Sequence, residues 1–356
     1  MIDENKTSTD SKDNKITSET KDVELTADID GEETEDIELP IELKEKIVNL
    51  ENFTLIENLG HGKFGSVYLG EEKSSHEKYA IKMSFSSMYF RIEEALILAQ
   101  NDYPALITLR GYSLTDFEGL EFPVLIIDYM ENGNLEKYLE KPKGTNRNTK
   151  IYIILLGIAI GMNHLHQRNI AHRDLKPENI LLDNNLFPHI ADFGFSRKIP
   201  DGDGLLTTQC FTPLYAAPEI LNGEDYTIKI DIYSFSIIAY QLLTNKKPYP
   251  KSILTLGKLQ SYVLGKNRPS LEKIKNDKII SLLEDCWSSD PSNRPSFDEI
   301  IKLMTDKQFY GDFGIVIPEV IEYLDIFGDE FKNLQEKLMA DNRIETQSSD
   351  YYSDND

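Results

Sequence analysis

Residues 171–183 read AHRDLKPENILLD, and residues 190–196 read IADFGFS. These two segments place a carboxylate, an ammonium group, an amide and a second carboxylate in order: Asp174, Lys176, Asn179 and Asp192. Phosphoryl transfer uses such a set, because one carboxylate accepts the proton of the incoming hydroxyl while a cation offsets charge on the moving group. Amide and carboxylate oxygens are hard ligands suited to Mg²⁺. The segments therefore predict a phosphoryl-transfer site with Asn179 and Asp192 as metal ligands.

A glycine-rich stretch upstream, LGHGKFGSVYLG at residues 59–70, suits a phosphate-binding loop. Gly60, Gly62 and Gly65 would let backbone N–H groups approach phosphate oxygens without side-chain obstruction. The stretch lies between two predicted strands rather than between a strand and a helix, which argues against a dinucleotide-binding fold. Phe64 is predicted to cap the loop tip, and Val67 to face the base.

Lys82 lies in the strand-like segment YAIKM, and Ala80 shares its strand face. The small Ala80 side chain leaves room for a flat ring. A lysine among apolar neighbours needs a counter-charge, and Glu93 or Glu94 on the following predicted helix can supply it. Both glutamates have an apolar residue four positions later, so the helical pattern leaves the choice open.

The composition excludes several classes of function. The chain of 356 residues has a formal net charge of −23, and residues 1–40 contain 14 Asp or Glu against 4 Lys or Arg. A surface this negative disfavours nucleic acid and anionic membranes. Two cysteines, Cys210 and Cys286, imply no disulfide framework, and the longest apolar run, 151–162, is too short to span a bilayer. We expect a cytoplasmic protein with no nucleic-acid partner and no membrane insertion.

The chain is predicted to divide into a tail and two halves. Residues 1–45 are acidic and almost without aromatic side chains, so they are predicted to be disordered. They would serve as a solubilising tail or as a phosphorylatable arm that docks partners. Strand-like segments dominate from Phe53 to about residue 125, with one helix near 91–100, and helical segments follow from Leu135. A cleft is expected where the β-rich and helical halves meet.

The stretch after about residue 307 carries one apolar stripe at helical spacing, from Val320 to Leu338. It predicts an amphipathic helix over about 318–340, followed by a frayed acidic end. The stripe is expected either to pack back on the helical half or to dock a partner.

The order GxGxFGxV, AIK, HRDLKPEN, DFG and a modified APE motif resembles that of the protein kinases. The resemblance covers about residues 53–305, with a small lobe at 53–127 and a larger lobe at 131–305, and leaves 306–356 as a C-terminal extension. DIYSF (231–235) and CWSSDPSNRPSF (286–297) resemble the tyrosine-kinase-like group, whereas HRDLKPEN resembles Ser/Thr kinases. The resemblance implies a bilobal α+β fold. It also implies an ATP- and Mg²⁺-dependent enzyme that phosphorylates Ser/Thr hydroxyls of protein substrates in intracellular signalling.

The resemblance assigns catalytic roles to Asp174 and Lys176 in the larger lobe and to Lys82 and Glu94 in the smaller. Lys82 would hold the α- and β-phosphates and pair with Glu94, which stands nine residues before Tyr103. ATP is expected to contact Leu59, Gly60, Gly62, Gly65, Val67, Ala80, Lys82, Asp128, Met130 and Leu181. Ile127 would be the gatekeeper, and Leu98, His172 and Phe193 would belong to an apolar stack that joins the lobes.

The resemblance also defines an activation segment, residues 192–219. Thr212 is expected to contact the catalytic Asp and Lys, as in Ser/Thr kinases. Phosphate on Thr207 or Thr208 would pair with Arg173 and order the segment.

Two further supports of this region are implied by the resemblance. Glu219 and Arg294 should form a buried ion pair, and Asp231 should anchor the backbone of the catalytic loop, the loop that carries Asp174, Lys176 and Asn179.

Five positions depart from the usual kinase pattern: Tyr103, Asp128, Phe211, Ala216 and Ser236. None removes a catalytic group, and Phe211 bears on peptide specificity because it lies where the substrate is expected to bind. One alternative is a pseudokinase that acts as a nucleotide-binding scaffold, and another is a kinase of dual or tyrosine specificity. The intact Lys82, Asp174, Asn179 and Asp192 favour an active enzyme, and Lys176 favours Ser/Thr specificity.

Overall fold

A computed structural model of the chain describes residues 39–62, 65–85, 89–141, 145–199 and 211–353. Its small lobe contains one five-stranded antiparallel sheet in the order β1-β2-β3-β5-β4. The strands are β1 (Phe53–Gly62), β2 (Gly65–Glu72), β3 (Lys78–Ser84), β4 (Leu109–Ser113) and β5 (Val124–Asp128). Helices α1 (Ile41–Lys44) and α2 (Tyr89–Gln100) accompany the sheet. A core of Leu50, Phe53, Ile81, Val124 and Ile126 lies on one of its faces.

The chain is ordered from an earlier point than the sequence predicts. Residues 1–38 lie outside the described residues, but α1 falls within the stretch 1–45 that was expected to be disordered. Its Leu43 is fully buried, and Ile47 bridges to Tyr112 of the edge strand β4. The burial of Leu43 and the added strand pairing offset the entropy cost of ordering this short segment.

The large lobe is mainly helical. Its helices are α3 (Leu135–Glu140), α4 (Arg147–His166), α5 (Pro218–Asn222), α6 (Lys229–Thr244), α7 (Leu256–Leu264), α8 (Asp277–Cys286) and α9 (Phe297–Met304). Two small antiparallel sheets of short strands carry the segments rich in chemistry: β6 (Ile170–Ala171) pairs with β9 (Arg197–Lys198), and β7 (Ile180–Leu182) pairs with β8 (Pro188–Ile190). Helices α4 and α6 are apolar and buried around most of their circumference, as expected of central helices. The predicted α+β fold with two lobes is confirmed.

The C-terminal extension differs from the single helix predicted over 318–340. It contains α10 (Lys307–Phe313), α11 (Ile317–Asp325), a 3₁₀ turn (Gly328–Phe331) and α12 (Lys332–Ser353). Gly328 has φ +61°, a left-handed conformation that breaks the helix. Helix α12 continues to Ser353, beyond the point where fraying was expected. The stripe packs back within the chain, because Val320, Tyr323, Leu324, Phe327 and Leu338 are buried.

In the described ranges, no helix combines the length and apolar composition needed to cross a membrane.

Candidate active site

A cleft of about 1060 Å³ lies where the small sheet meets the large lobe. Its walls include the glycine-rich hairpin β1–β2, strand β3, the connection after β5 and strand β7. Every residue predicted to contact ATP lines this cleft: Leu59, Gly60, Gly62, Gly65, Val67, Ala80, Lys82, Asp128, Met130 and Leu181. Phe64, predicted at the loop tip, lies outside the described residues. The cleft is mostly apolar and also contains charged side chains, among them Lys82 and Asp192, which suits a nucleotide.

Lys82 points into this cleft from β3 and binds two carboxylates. Its Nζ lies 2.6 Å from Glu94 Oε1 on α2 and 2.6 Å from Asp192 Oδ1. The Glu94 side chain is 2% exposed, so the ammonium group supplies the counter-charge that a buried carboxylate needs. Glu93, the alternative partner, instead pairs with Arg197 at 2.7 Å. The structure therefore places Glu94, and not Glu93, beside Lys82.

The catalytic loop brings Asp174, Lys176 and Thr212 into one hydrogen-bonded set. Thr212 Oγ1 donates to Asp174 Oδ1 at 2.6 Å, and Lys176 Nζ donates to Asp174 Oδ2 at 2.6 Å and to Thr212 Oγ1 at 3.0 Å. Thr212 lies in the last part of the activation segment, so its hydrogen bonds link that segment to the catalytic loop. Asn179 donates from Nδ2 to the Asp174 carbonyl at 2.8 Å, which orients its amide.

Asp231 of α6 holds the catalytic loop from below. Its carboxylate accepts the backbone N–H groups of His172 and Arg173, both at 2.9 Å, and a hydrogen bond from His166 Nε2 at 3.0 Å. Burial opposes ionisation of this fully buried group, but these donors prevail and lower the pKa of Asp231 below its ordinary value. Arg173 adopts φ +70°, a strained conformation for a non-glycine residue that these hydrogen bonds maintain.

An apolar stack connects α2 to this loop. The rings of His172 and Phe193 lie 5.3 Å apart, and His172 Nε2 is 3.1 Å from the carbonyl oxygen of Ala191. Phe193 is fully buried and Leu98 of α2 is nearly so. Ile127, the expected gatekeeper, pairs with Ala80 across the sheet and also lines the cleft.

The predicted ion pair between Glu219 and Arg294 is present and bidentate. Arg294 NH1 and NH2 lie 2.6 and 2.8 Å from the two carboxylate oxygens, and Arg294 is 1% exposed. Its Nε also donates to the carbonyl of Ser288 at 3.0 Å, and its guanidinium lies 5.4 Å from the Tyr233 ring centroid. This pair fixes the end of the activation segment to the large lobe.

The departures from the usual pattern are accommodated locally. Asp128 binds Arg110 of β4 through two hydrogen bonds of 2.6 and 2.9 Å. Ser236 is fully buried and donates to the Tyr233 carbonyl at 2.6 Å. Phe211 and Ala216 line a small pocket that Asp174 also lines. Thr207, Thr208 and Cys210 lie outside the described residues.

Asn179 and Asp192 fit the chemistry of a Mg²⁺ site. Both line the cleft and present hard oxygens, and the Asp192 side chain is 39% exposed. Among the residues whose positions are described, no group of three or more His, Cys, Asp or Glu side chains is arranged to bind a metal. Asn179 and Asp192 would be enough protein ligands for Mg²⁺, which usually takes one or two and completes its coordination with phosphate oxygens and water.

Two residues that hold the site were missed by the sequence analysis. His166 reaches Asp231 from the end of α4, 65 positions away, and Arg197 reaches Glu93 of α2. Neither contact has a local signal, because sequence alone predicts a histidine at a helix end and an arginine after a turn to lie at the surface, whereas the His166 side chain is only 8% exposed.

The comparisons with known proteins agree with this geometry. Residues 53–304 match the protein kinase domain family, so the chain belongs to the protein kinases. A dual specificity protein kinase, shkB of Dictyostelium discoideum, is 35% identical over 256 residues, covering 68% of this chain and 38% of that protein. Serine/threonine-protein kinase STY17 of Arabidopsis thaliana is 36% identical over 181 residues, covering 51% and 31%. Tyrosine-protein kinase SPK-1 of Girardia tigrina is 32% identical over 272 residues, covering 72% and 54%.

The chain spans about a third of the length of the first two of these relatives and about half of the third. The resemblance to protein kinases drawn from the motifs is confirmed.

Proposed function

We propose that the protein transfers the γ-phosphoryl group of ATP to serine and threonine hydroxyls of protein substrates. The observation that carries this proposal is the set formed by Asp174, Lys176 and Thr212, with contacts of 2.6 to 3.0 Å. This carboxylate and ammonium group adjoin the nucleotide-sized cleft through Asn179, which lines the cleft and donates to the Asp174 carbonyl at 2.8 Å. The serine/threonine-protein kinase among the named relatives, STY17, supports the same specificity. The mixture of serine/threonine, dual specificity and tyrosine kinases supports a place in the tyrosine-kinase-like group.

In this mechanism the acceptor hydroxyl attacks the γ-phosphorus in line with the leaving group. A bond forms between the acceptor oxygen and phosphorus, the bond from phosphorus to the β–γ bridging oxygen breaks, and ADP leaves. Asp174 accepts the hydroxyl proton, and Lys176 offsets negative charge on the phosphoryl group. Thr212 donates a hydrogen bond to Asp174 Oδ1 and thereby fixes the orientation of the Asp174 carboxylate. Most of the rate gain comes from positioning and electrostatic stabilisation.

In this mechanism Lys82 binds the α- and β-phosphates of ATP. Glu94 holds its ammonium group in the cleft. We assign the Mg²⁺ ligands to Asn179 and Asp192. When bound, the ion would neutralise phosphate charge, and these two side chains would fix its place between the lobes.

Labelled ATP tests the proposal. Purified protein is incubated with γ-³²P-ATP, Mg²⁺ and a mixture of generic proteins, and the labelled products are analysed for phosphoserine, phosphothreonine and phosphotyrosine. Label on serine and threonine is expected. Label confined to tyrosine would refute the specificity, and ATP binding without any transfer would favour the nucleotide-binding scaffold.

One expectation about control of the enzyme remains part of the proposal. Phosphate on Thr207 or Thr208 would reach Arg173, whose guanidinium lies 5.8 Å from the Tyr226 ring centroid. Mass spectrometry of the active protein should find one of these threonines modified, and finding neither would contradict the idea.

We also propose a cytoplasmic location, supported by the two-cysteine content and by the burial of Cys286 as a free thiol.

A further inference from the structure

Tyr103 lies in the connection between α2 and β4 and is held by two other parts of the chain. Its ring stacks on that of His164 in α4, with centroids 3.9 Å apart and planes at 19°. Its hydroxyl donates to Glu330 Oε1 at 2.8 Å, and its ring lies 5.5 Å from that of Phe327. Phe327 and Glu330 belong to the C-terminal extension, beyond the part of the chain that matches the kinase family. One side chain thus joins the end of α2, the large lobe and the extension.

The extension that grips Tyr103 is itself firmly seated on the large lobe. Tyr323 is fully buried, and its ring lies 4.9 Å from that of Phe187. Helix α4 has a glycine at this point, because a Cβ on Gly157 would lie 2.3 Å from Tyr323 Oη. From there an aromatic row leads outward, with the Phe327 ring 5.4 Å from Tyr323 and 5.3 Å from Phe331. Through these ring contacts, the buried helix α11 restricts the position of Tyr103.

The groups around Tyr103 keep the contact intact at neutral pH. Burial, and then the hydrogen bond to Glu330, raise the pKa of Tyr103 above its ordinary value, so the hydroxyl remains a donor. Burial, and then the charge of Arg168, lower the pKa of His164 to about 4, so the stacked imidazole is neutral. Stacking between two such uncharged rings is favourable.

The connection that carries Tyr103 follows directly on α2, the helix that carries Glu94. Glu94 stands nine residues earlier, on α2, and pairs with Lys82 at 2.6 Å. The same end of α2 is held from its other flank, since Gln100 donates to Glu42 of α1 at 3.1 Å. The position of α2 decides whether the Lys82–Glu94 pair forms, so what fixes its C-terminal end bears on catalysis.

We propose that Tyr103 is a positioning residue, through which the C-terminal extension holds α2 so that Glu94 stays paired with Lys82. The inference rests on the proposed function and extends it to residues outside the kinase domain. Loss of the Tyr103 contacts should leave the fold intact, because other hydrogen bonds still attach the α2–β4 connection to β8, such as that from Ile107 N–H to the Ile190 carbonyl at 2.9 Å. It should, however, allow α2 to move.

The test compares Tyr103→Ala and Tyr103→Phe with the wild-type chain of 356 residues. Steady-state kinetics with ATP and a generic protein substrate are combined with hydrogen–deuterium exchange of residues 92–100. In Tyr103→Ala, kcat/KM for ATP should fall about tenfold and exchange in α2 should accelerate, because the ring stacking and the hydrogen bond are both lost. Tyr103→Phe keeps the stacking and should change kcat/KM only about twofold.

Tyr262→Ala supplies a matched truncation of a half-buried tyrosine in α7, away from α2, and should leave α2 exchange unchanged. If Tyr103→Ala does not fold, the pair Phe327→Leu and Glu330→Ala in the extension makes the same test. A folded variant with wild-type exchange in α2 would overturn the proposal, whatever its activity. The exchange measurement needs no substrate, so it decides the inference even if the wild-type chain transfers no phosphate.

Discussion

Removal of the Arg294 guanidinium should destabilise the protein strongly. In Arg294→Met, the Glu219 carboxylate keeps its burial, at 5% exposure, but loses two charge-assisted hydrogen bonds. The carbonyl of Ser288, which accepts from Nε, loses its donor as well. Breaking a buried pair by removing one partner costs about 3–5 kcal/mol. At about 2–4 °C per kcal/mol for a domain of this size, the melting temperature should fall by about 10 °C.

Differential scanning calorimetry of the two proteins measures this change. Lys302→Met on α9 is the matched control, because it removes a solvent-exposed ion pair. The Lys302 side chain is 73% exposed and that of its partner Asp298 is 50% exposed. The control should melt within about 1 °C of the wild type. A double variant, Glu219→Leu with Arg294→Met, should be less destabilised than Arg294→Met alone, since it leaves no unpaired buried charge. An Arg294→Met protein that melts like the wild type would refute the buried pair.

Two further changes have directions fixed by the structure. A Cβ at Gly65 would lie 2.1 Å from the Met83 carbonyl oxygen, so Gly65→Ala should push β2 from β3 and weaken ATP binding, measured by calorimetric titration. Gly257→Ala in open space on α7 should leave ATP affinity unchanged, and equal affinity in both variants would contradict the close approach. The folded pKa of Asp231 lies below its ordinary 3.8, so its stabilisation is complete above that value and is lost as the pH falls through the folded pKa. Asp231→Asn should therefore flatten the loss of melting temperature in acid, below about pH 4, and a parallel pair of curves would count against this role.

The sequence predicted the elements whose pattern is local. The segments of β1, β2, β3 and β5 alternate or run apolar, and α4 and α6 are long and strongly apolar. Strand β4 was missed because LRGYS has no β-branched residue and forms the edge of the sheet. The break in the extension was missed because the apolar spacing continues through Gly328, where the backbone turns left-handed.

The chemical residues were predictable because motifs fix their order, while their partners depended on packing. The helical pattern could not choose between Glu93 and Glu94, since the choice depends on how α2 is rotated against the sheet. The structure resolves it with Lys82 on one glutamate and Arg197 on the other. The contact of Tyr103 with Glu330 spans 227 positions, a separation at which no sequence periodicity carries information.

Comparison of Asp174→Asn with the wild type tests the proposed reaction most directly. Affinity for ATP with Mg²⁺ is measured by calorimetric titration, and phosphate transfer by single-turnover kinetics at saturating ATP. Because the amide cannot accept the hydroxyl proton, we predict unchanged affinity within about twofold and a transfer rate lower by about 10²–10⁴-fold. Asp298→Asn, a surface carboxylate on α9, should transfer phosphate at the wild-type rate. Transfer at the wild-type rate by Asp174→Asn would contradict the assignment of the base, and with it the proposed mechanism.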